Sequence, residues 1–197
     1  NAIADVLMGD AEPGGRLPQT FPERWEDNPT RSQDPEVYPG LNGHVRYEEK
    51  LNIGYRHYDR VGHVPMFPFG HGLGYTAFQM FGATVEQSGE GARLRVSLRN
   101  TGTRAGATVV QVYVTDDDAS VDRPSRELKA FTKVRAEAGA EVTVTLDLPP
   151  RAFMFCDVEA GCWRREAGTF TLSLGFSAAD IRATLPLAFA TGATEAY

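Results

Sequence analysis

Apolar and polar side chains alternate with a period of two from residue 79 onward. The clearest runs are LRVSLRN at 94–100, EVTVTLDL at 141–148 and TFTLSLGF at 169–176, and turn-forming sequences separate them. Short alternating runs at this spacing, with no helical pattern among them, predict a β-sandwich of about seven strands. The inward-facing positions predict one shared core that includes Leu94, Val96, Val144, Leu146, Phe170 and Leu172.

Two places in this region depart from strict alternation. Leu128, Phe131 and Val134 break the period, which predicts a β-bulge. Pro186 lies inside the last alternating run. Because proline has no N–H to donate to a neighbouring strand, we expect that strand at the edge of its sheet.

The first residues follow a helical pattern instead. Ile3, Val6 and Leu7 recur at helical spacing, and Gly9 is placed to end the helix in a left-handed conformation. The pattern resembles the last turns of a helix already under way. We therefore expect the chain to be the tail of a longer protein.

The segment between this helix and residue 78 is poor in periodic pattern. Leu17–Phe21 predicts a short edge or irregular strand, because Pro18 lies inside it and Pro22 follows it. Residues 23–46 contain three prolines and predict a long surface loop. Residues 52–78 combine large aromatic side chains with glycines, which allows a short peptide to bury area while bending sharply, so we interpret them as a structural joint between two domains.

Composition excludes several classes of function. With 42% hydrophobic and 23% charged residues, the 197-residue chain has the composition of an ordinary globular protein. A net charge of −6 disfavours nucleic acid as a partner. No apolar run approaches the roughly 20 residues that span a bilayer, so no membrane contact is expected. The start has no signal-peptide pattern, and the sequence indicates no compartment.

Five motifs resemble, in order, the C-terminal end of family 3 glycoside hydrolases, the β-glucosidase and β-xylosidase family. They are NAIADVLMGDAEPGGRLPQTFP, LNIGYRHYD, PMFPFGHGLGYTAF, LRNTGTRAGATVVQVYVTD and DRPSRELKAFTKV. The resemblance implies a mainly β chain, in which residues 1–77 end an α/β sandwich domain and residues 78–197 form a fibronectin type III-like β-sandwich. It also implies that the catalytic Asp of an N-terminal (β/α)8 barrel and the acid/base Glu lie outside this chain.

The function so implied is that of a scaffold in a retaining β-glycosidase acting on terminal β-linked glucose or xylose. Its partner is the remaining N-terminal part of the enzyme, as the same or a separate chain. The alternative is a free-standing fibronectin type III-like module that binds carbohydrate or protein. Such a module would favour an exposed aromatic row, for which Tyr113, Phe131 and Trp163 are the candidates.

Retaining hydrolysis requires two carboxyl groups about 5–5.5 Å apart, and no convergent pair is identifiable in the sequence. Glu90 in SGEG resembles an acid/base motif of some family members, but two strand-like runs flank it and predict a hairpin turn. Glu48 and Glu49 are adjacent and are expected to be solvated. We predict no catalytic residue in this chain.

Metal and cofactor motifs are also incomplete. The acidic run Asp116–Asp122 lacks the glycine and glutamate of a calcium loop. The segment GHGLGYT lacks the spacing and the following helix of a dinucleotide loop. The histidines lack zinc-ligand spacing; they are His44, His57, His63 and His71. We predict no metal site, no binding residue and no cofactor.

Two cysteines and two charged residues complete the candidates. Cys156 and Cys162 flank a predicted turn on the same face but diagonally offset, which favours free, partly buried thiols over a disulfide. Arg56 and Asp59 are expected to pair with each other. A minor alternative places Arg56 or His57 beside a sugar site.

Overall fold

The computed structural model describes all 197 residues, most of which lie in antiparallel strands or irregular segments. Neither α-helix, each of seven residues, is long and apolar enough to cross a membrane. The helices are α1 (Ala2–Met8) and α2 (Tyr55–Val61); the strands are β1 (Phe78–Ser88), β2 (Gly91–Asn100), β3 (Gly106–Asp116), β4 (Glu127–Ala136), β5 (Glu141–Leu148), β6 (Phe155–Asp157), β7 (Cys162–Arg165), β8 (Gly168–Ser177), β9 (Asp180–Phe189) and β10 (Ala193–Ala196).

Seven strands form the two sheets of a sandwich, as predicted. One sheet has the order β1-β2-β5 and the other has the order β4-β3-β8-β9. A third, small sheet of order β10-β7-β6 lies outside the sequence prediction. Its strands have only three or four residues, too few to show a period in the sequence.

The core lies between the two large sheets and confirms the predicted set. Leu94, Val96, Phe170 and Leu172 are buried within one apolar cluster, and Val144 and Leu146 pack against it. Three phenylalanines close one region of this core with ring centroids 5.0 to 5.7 Å apart, in edge-to-face geometry; they are Phe153, Phe170 and Phe189. No residue before Phe78 takes part in the cluster.

The expected bulge and edge strand are both present. Val112 pairs with Ala130 while the next residue, Tyr113, pairs with Leu128, so Lys129 is the extra residue of a bulge in β4. Pro186 lies in β9, at the edge of the four-stranded sheet, as expected for a residue that has no N–H to donate.

The buried side chain of Asn100 explains the NTG sequence after β2. Its Nδ2 donates to the carbonyls of Arg104 at 2.8 Å and Ala136 at 3.0 Å, and its Oδ1 accepts from Thr76 Oγ1 and the Gly102 N–H. A Cβ at position 102 would collide with Thr76, so glycine is required there. This asparagine therefore joins the residues before the sandwich to the turn that follows β2.

The N-terminal helix is confirmed, whereas the strand after it is not. Gly9 ends α1 with a φ of 84°. Leu17 and Phe21 hydrogen-bond to the backbone near Phe67 and Gly70, but only an isolated bridge forms, because Pro18 cannot donate. Residues 23–46 are irregular, as expected, apart from one 3-10 turn at Trp25–Asp27.

The sequence pattern does not predict α2, and the expected Arg56–Asp59 pair is wrong. Arg56 pairs with Glu127 and Asp59 pairs with Arg126. The sequence YRHYDRV has no apolar stripe, so it shows no helical period. Helices this short form mainly through tertiary contacts, which a local pattern does not reveal.

Residues before the sandwich cover the outer face of β3. Tyr113 points away from the core, yet it is fully buried, because Tyr55 packs edge-on against it with ring centroids 5.5 Å apart. Phe69 packs on the other side of Tyr55 at 5.3 Å. The aromatic residues of 52–78 thus pack this segment against the sandwich, as the sequence predicted.

Candidate functional site

Glu90 lies in the turn between β1 and β2, where the sequence predicted it. Its Oε2 accepts a 2.6 Å hydrogen bond from Arg165 Nη2, and its backbone carbonyl accepts another at 2.6 Å from Nη1. The Arg165 side chain is 1% exposed, and its guanidinium lies 3.8 Å from the ring centre of Phe189. Glu90 is therefore the counter-ion of a buried arginine.

Glu48 and Glu49 lie on an exposed loop. Glu48 pairs with Arg46 at 3.1 Å, and the same guanidinium contacts Asp34 at 2.6 Å and Glu36 at 3.1 Å. These contacts close the loop on itself at the protein surface. The two glutamates face no common cleft.

Three of the four aspartates in 116–122 contact protein groups, and Asp122 among them pairs with Arg60 at 3.1 Å. Asp116 pairs with Arg123 at 2.9 Å, and Asp117 accepts a 3.0 Å hydrogen bond from Thr171. Burial raises the pKa of Asp116, although the nearby Arg123 charge opposes the change. No group of three or more His, Cys, Asp or Glu side chains is arranged to hold a metal ion.

The four histidines do not come together as a site. His63 Nδ1 lies 3.7 Å from Asp27, and the His71 ring packs on Phe67 with centroids 5.1 Å apart. Burial, followed by the charge of His63, lowers the pKa of His57. His44 lies in an exposed turn, bridged to Leu41.

Both cysteines are free, as predicted, but they do not share a face. Cys156 pairs with Trp163, and Cys162 pairs with Asp157, so their side chains point to opposite sides of the small sheet. Cys156 is exposed rather than partly buried, and its Sγ lies 3.1 Å from the hydroxyl of Tyr197. That contact raises the pKa of Tyr197 to about 12.

Each of the three principal clefts contains one carboxylate. A cleft of about 220 Å³ contains Asp180 beside Arg16 and Arg182. A cleft of about 140 Å³, lined mainly by aromatic and proline side chains, contains Asp59. A cleft of about 390 Å³ over β1 and β2 contains Glu86. None presents two carboxylates across a space where a sugar could lie.

The most extensive polar cluster joins α2 to the segment 122–128, which leads into β4. Tyr55 Oη accepts a 2.8 Å hydrogen bond from the Leu128 N–H. Arg56 Nη2 donates to Glu127 at 3.1 Å. We call this cluster the α2 interlock; its members are Tyr55, Arg56, Asp59, Arg60, Asp122, Arg126, Glu127 and Leu128.

Arg126 makes the most contacts in the α2 interlock. Its Nε and Nη2 each donate to one oxygen of Asp59 at 2.7 Å, and Nη2 also donates to the Ala178 carbonyl at 2.7 Å. Its guanidinium lies 5.1 Å from the ring centre of Tyr113. Burial would lower the pKa of Arg126, but the hydrogen bond and charge of Asp59 outweigh burial and raise it.

Glu127 is surrounded by three cations. Its carboxylate lies within 3.3 Å of nitrogens of Arg56, Arg123 and Lys129. Burial would raise the pKa of Glu127, but these positive charges together lower it. Burial lowers the pKa of Lys129, although the negative charge of Glu127 opposes this change.

The α2 interlock could not be found from local sequence patterns. Its ion pairs join residues 67 and 71 positions apart. The only sequence signal is that both YRHYDR and DRPSREL are rich in charges of both signs. The same two stretches belong to motifs on which the family resemblance rests.

Comparisons with known proteins match both halves of the chain. Residues 1–75 match the glycosyl hydrolase family 3 C-terminal domain, and residues 108–178 match the fibronectin type III-like domain. A β-glucosidase of Rhizobium radiobacter is 48% identical over 192 residues, covering 95% of this chain and 23% of that protein. An exo-α-(1→6)-L-arabinopyranosidase of Bifidobacterium breve is 39% identical, over 95% of this chain and 24% of that protein.

Solved structures agree with these matches. The crystal structure of a family 3 β-glucosidase from Bifidobacterium adolescentis superimposes with a TM-score of 0.91 at 38% identity, covering 97% of this chain and 28% of that one. The chain thus spans about a quarter of the length of the relatives that it matches.

Proposed function

Because the chain belongs to glycoside hydrolase family 3 and corresponds to the C-terminal portion of its members, we propose that it is the scaffolding part of a retaining β-glycosidase. The intact enzyme, here called the parent, releases terminal β-linked glucose or xylose, and its catalytic carboxylates lie outside these 197 residues. The proposal rests on the surroundings of the candidate carboxylates. Each of them contacts protein groups or solvent, and each of the three principal clefts contains only one carboxylate. Retaining hydrolysis needs two carboxyl groups about 5–5.5 Å apart.

The partner of this chain is the N-terminal portion of the parent. Three large apolar side chains of α1 are uncovered: Ile3 is 74% exposed, Leu7 77% and Met8 78%. No residue of α1 is buried, so the helix contributes nothing to a core within this chain. We infer that the preceding portion of the parent covers this face, whether it is continuous with this chain or a separate polypeptide.

The domain division at residues 77 and 78 is part of the same proposal. The two matched family models lie on either side of it, and the sandwich core includes no earlier residue than Phe78. The free-standing binding module is disfavoured. Of its three candidate aromatic residues, Tyr113 is fully buried, Trp163 is partly covered by Arg151, and only Phe131, at 67%, is widely exposed.

The test is the activity and stereochemistry of the parent. It should be assayed on aryl β-glucoside, aryl β-xyloside and aryl α-L-arabinopyranoside, the last because one relative is an arabinopyranosidase. NMR of the first-formed sugar should show retention of anomeric configuration. Inversion, or hydrolysis of neither the β-glucoside nor the β-xyloside, would contradict the proposal.

A further inference from the structure

Residues 23–53 form the longest irregular segment of the chain, and none of them makes a hydrogen bond or ion pair with residues 78–197. The polar contacts of this segment are internal, reach His63 just beyond α2 through Asp27, or reach Arg56 in α2 through the carbonyls of Leu51 and Ile53. The segment leads directly into α2 at Gly54. Its C-terminal end is therefore attached to the sandwich through α2.

We propose that Arg126 is a positioning residue, which fixes α2, and through α2 the segment 41–53, on the fibronectin type III-like sandwich of the enzyme. This inference rests on the proposed function, because its consequence is read in the turnover of the parent. It gives the sandwich a definite role, which is to set the orientation of a segment that belongs to the preceding domain.

Arg126 suits this role better than Arg56 or Arg60. Arg56 is similarly buried but reaches Glu127 through one nitrogen at 3.1 Å, whereas Arg126 contacts both oxygens of Asp59 at 2.7 Å. The Arg126 and Asp59 side chains are 19% and 21% exposed, whereas those of Arg60 and Asp122 are 50% and 79% exposed. Exposed ion pairs contribute about 0–1 kcal/mol and fix geometry poorly. A two-pronged arginine–carboxylate contact fixes direction as well as distance. Lysine cannot reproduce it, because an ammonium group lacks the planar fork.

The oriented segment presents apolar groups to its surroundings. Tyr47 is 76% exposed and Ile53 is 53% exposed, in a loop that Arg46 closes with three carboxylates. An exposed apolar surface of this kind is suited to contact another part of the parent. Rotation of α2 would displace this surface, and small displacements of a positioned element reduce turnover strongly.

The experiment compares variants of the intact parent. Arg126→Gln removes the two-pronged contact with Asp59, and Arg126→Lys keeps the positive charge. Val144→Ala is the matched control, because it destabilises the sandwich at a partly buried core position in β5, which lies in the other sheet from β4. Hydrogen exchange of residues 41–61 and the separate values of kcat and KM are measured well below the unfolding temperature. Asp59→Asn is also made alone, and a double variant combines it with Arg126→Gln. Together these complete a double-mutant cycle.

We expect Arg126→Gln to speed exchange in residues 41–61 while β2 and β8 stay protected, and to lower kcat by about threefold or more. Arg126→Lys should restore part of that loss. The double variant should be no worse than Arg126→Gln, because both remove one contact. Val144→Ala should lower the unfolding temperature with kcat unchanged.

Three results would overturn the inference: unchanged exchange in residues 41–61 of Arg126→Gln, unchanged kcat in Arg126→Gln despite faster exchange in α2, or an equal fall of kcat in Val144→Ala. The two kinetic results require an active parent. A parent that hydrolyses none of the three aryl glycosides would instead contradict the proposed function, and the hydrogen-exchange arm would still decide whether Arg126 fixes α2.

Discussion

The Glu90 carboxylate lies 2.6 Å from Nη2 of Arg165, whose side chain is almost completely buried. This pair joins the β1–β2 turn to the end of β7, and the Thr191 carbonyl adds a further acceptor at 3.2 Å from Arg165. An arginine buried against Phe189 needs such acceptors, because an unpaired buried charge is costly. Glu90 is thus structural, although its sequence context resembles a catalytic motif.

The first prediction concerns Glu90→Gln in the parent. Turnover should stay near that of the unchanged enzyme, because the Glu90 carboxylate is engaged with Arg165, whereas loss of a true acid/base costs about 10²-fold or more. The free energy of unfolding should fall by about 1–2 kcal/mol, as the charge-assisted hydrogen bond weakens. Glu137→Gln, at an exposed turn, is the control and should change neither quantity. A collapse of kcat in Glu90→Gln would show that this turn belongs to an active site.

The second prediction tests the sandwich core. Phe170→Ala should lower the free energy of unfolding by about 3–5 kcal/mol, because Phe170 is buried between Phe153 and Phe189. Phe131→Ala, at an exposed position of β4, should cost less than about 0.5 kcal/mol. Denaturant melts of the purified chain measure both. A loss below about 1 kcal/mol for Phe170→Ala would be inconsistent with the described core.

The sandwich could be predicted because inward and outward positions alternate in several of its strands, most clearly in β2, β5 and β8. A break in that alternation indicated the bulge in β4, and the chemistry of proline indicated the edge position of Pro186. The helix α2 could not be predicted, because its stability comes from partners in another part of the chain. The burial of Tyr113 was hidden for the same reason: the side chain that covers it, Tyr55, is distant in sequence.

The third prediction concerns the pH dependence of the α2 interlock. Glu127 has a lowered pKa in the folded chain, so near pH 4 the folded state binds fewer protons than the unfolded state. Its stabilising contribution is therefore complete above the ordinary pKa of a glutamate, about 4.3, and is lost as the pH falls through the lowered value. Glu127→Gln should be less stable at pH 7 and should lose less stability on acidification.

Urea unfolding of the chain and of Glu127→Gln at pH 7, 5 and 3 measures this difference. Glu137→Gln again serves as the control, and its curve should run parallel to that of the unchanged chain. Equal pH slopes for Glu127→Gln and the unchanged chain would show that Glu127 does not couple protonation to folding.

The fourth prediction concerns the uncovered face of α1. In the isolated chain, residues 1–10 should exchange amide hydrogens rapidly, since no residue of α1 is buried. In the parent, the same amides should be protected, while exchange in β2 and β8 stays the same in both. A monomeric isolated chain whose first 77 residues are already fully protected would contradict a covering partner.

The most direct measurement is hydrolysis of an aryl β-glucoside by the purified 197-residue chain and, in parallel, by the parent. A mechanism that forms and breaks a glycosyl intermediate needs a nucleophile and an acid/base on either side of the sugar, and each of the three principal clefts offers a single carboxylate. We expect turnover by the parent and none above background by the chain alone. Turnover by the chain at a substantial fraction of the parent's rate would show that the catalytic pair lies within these residues, and that the chain is more than a scaffold.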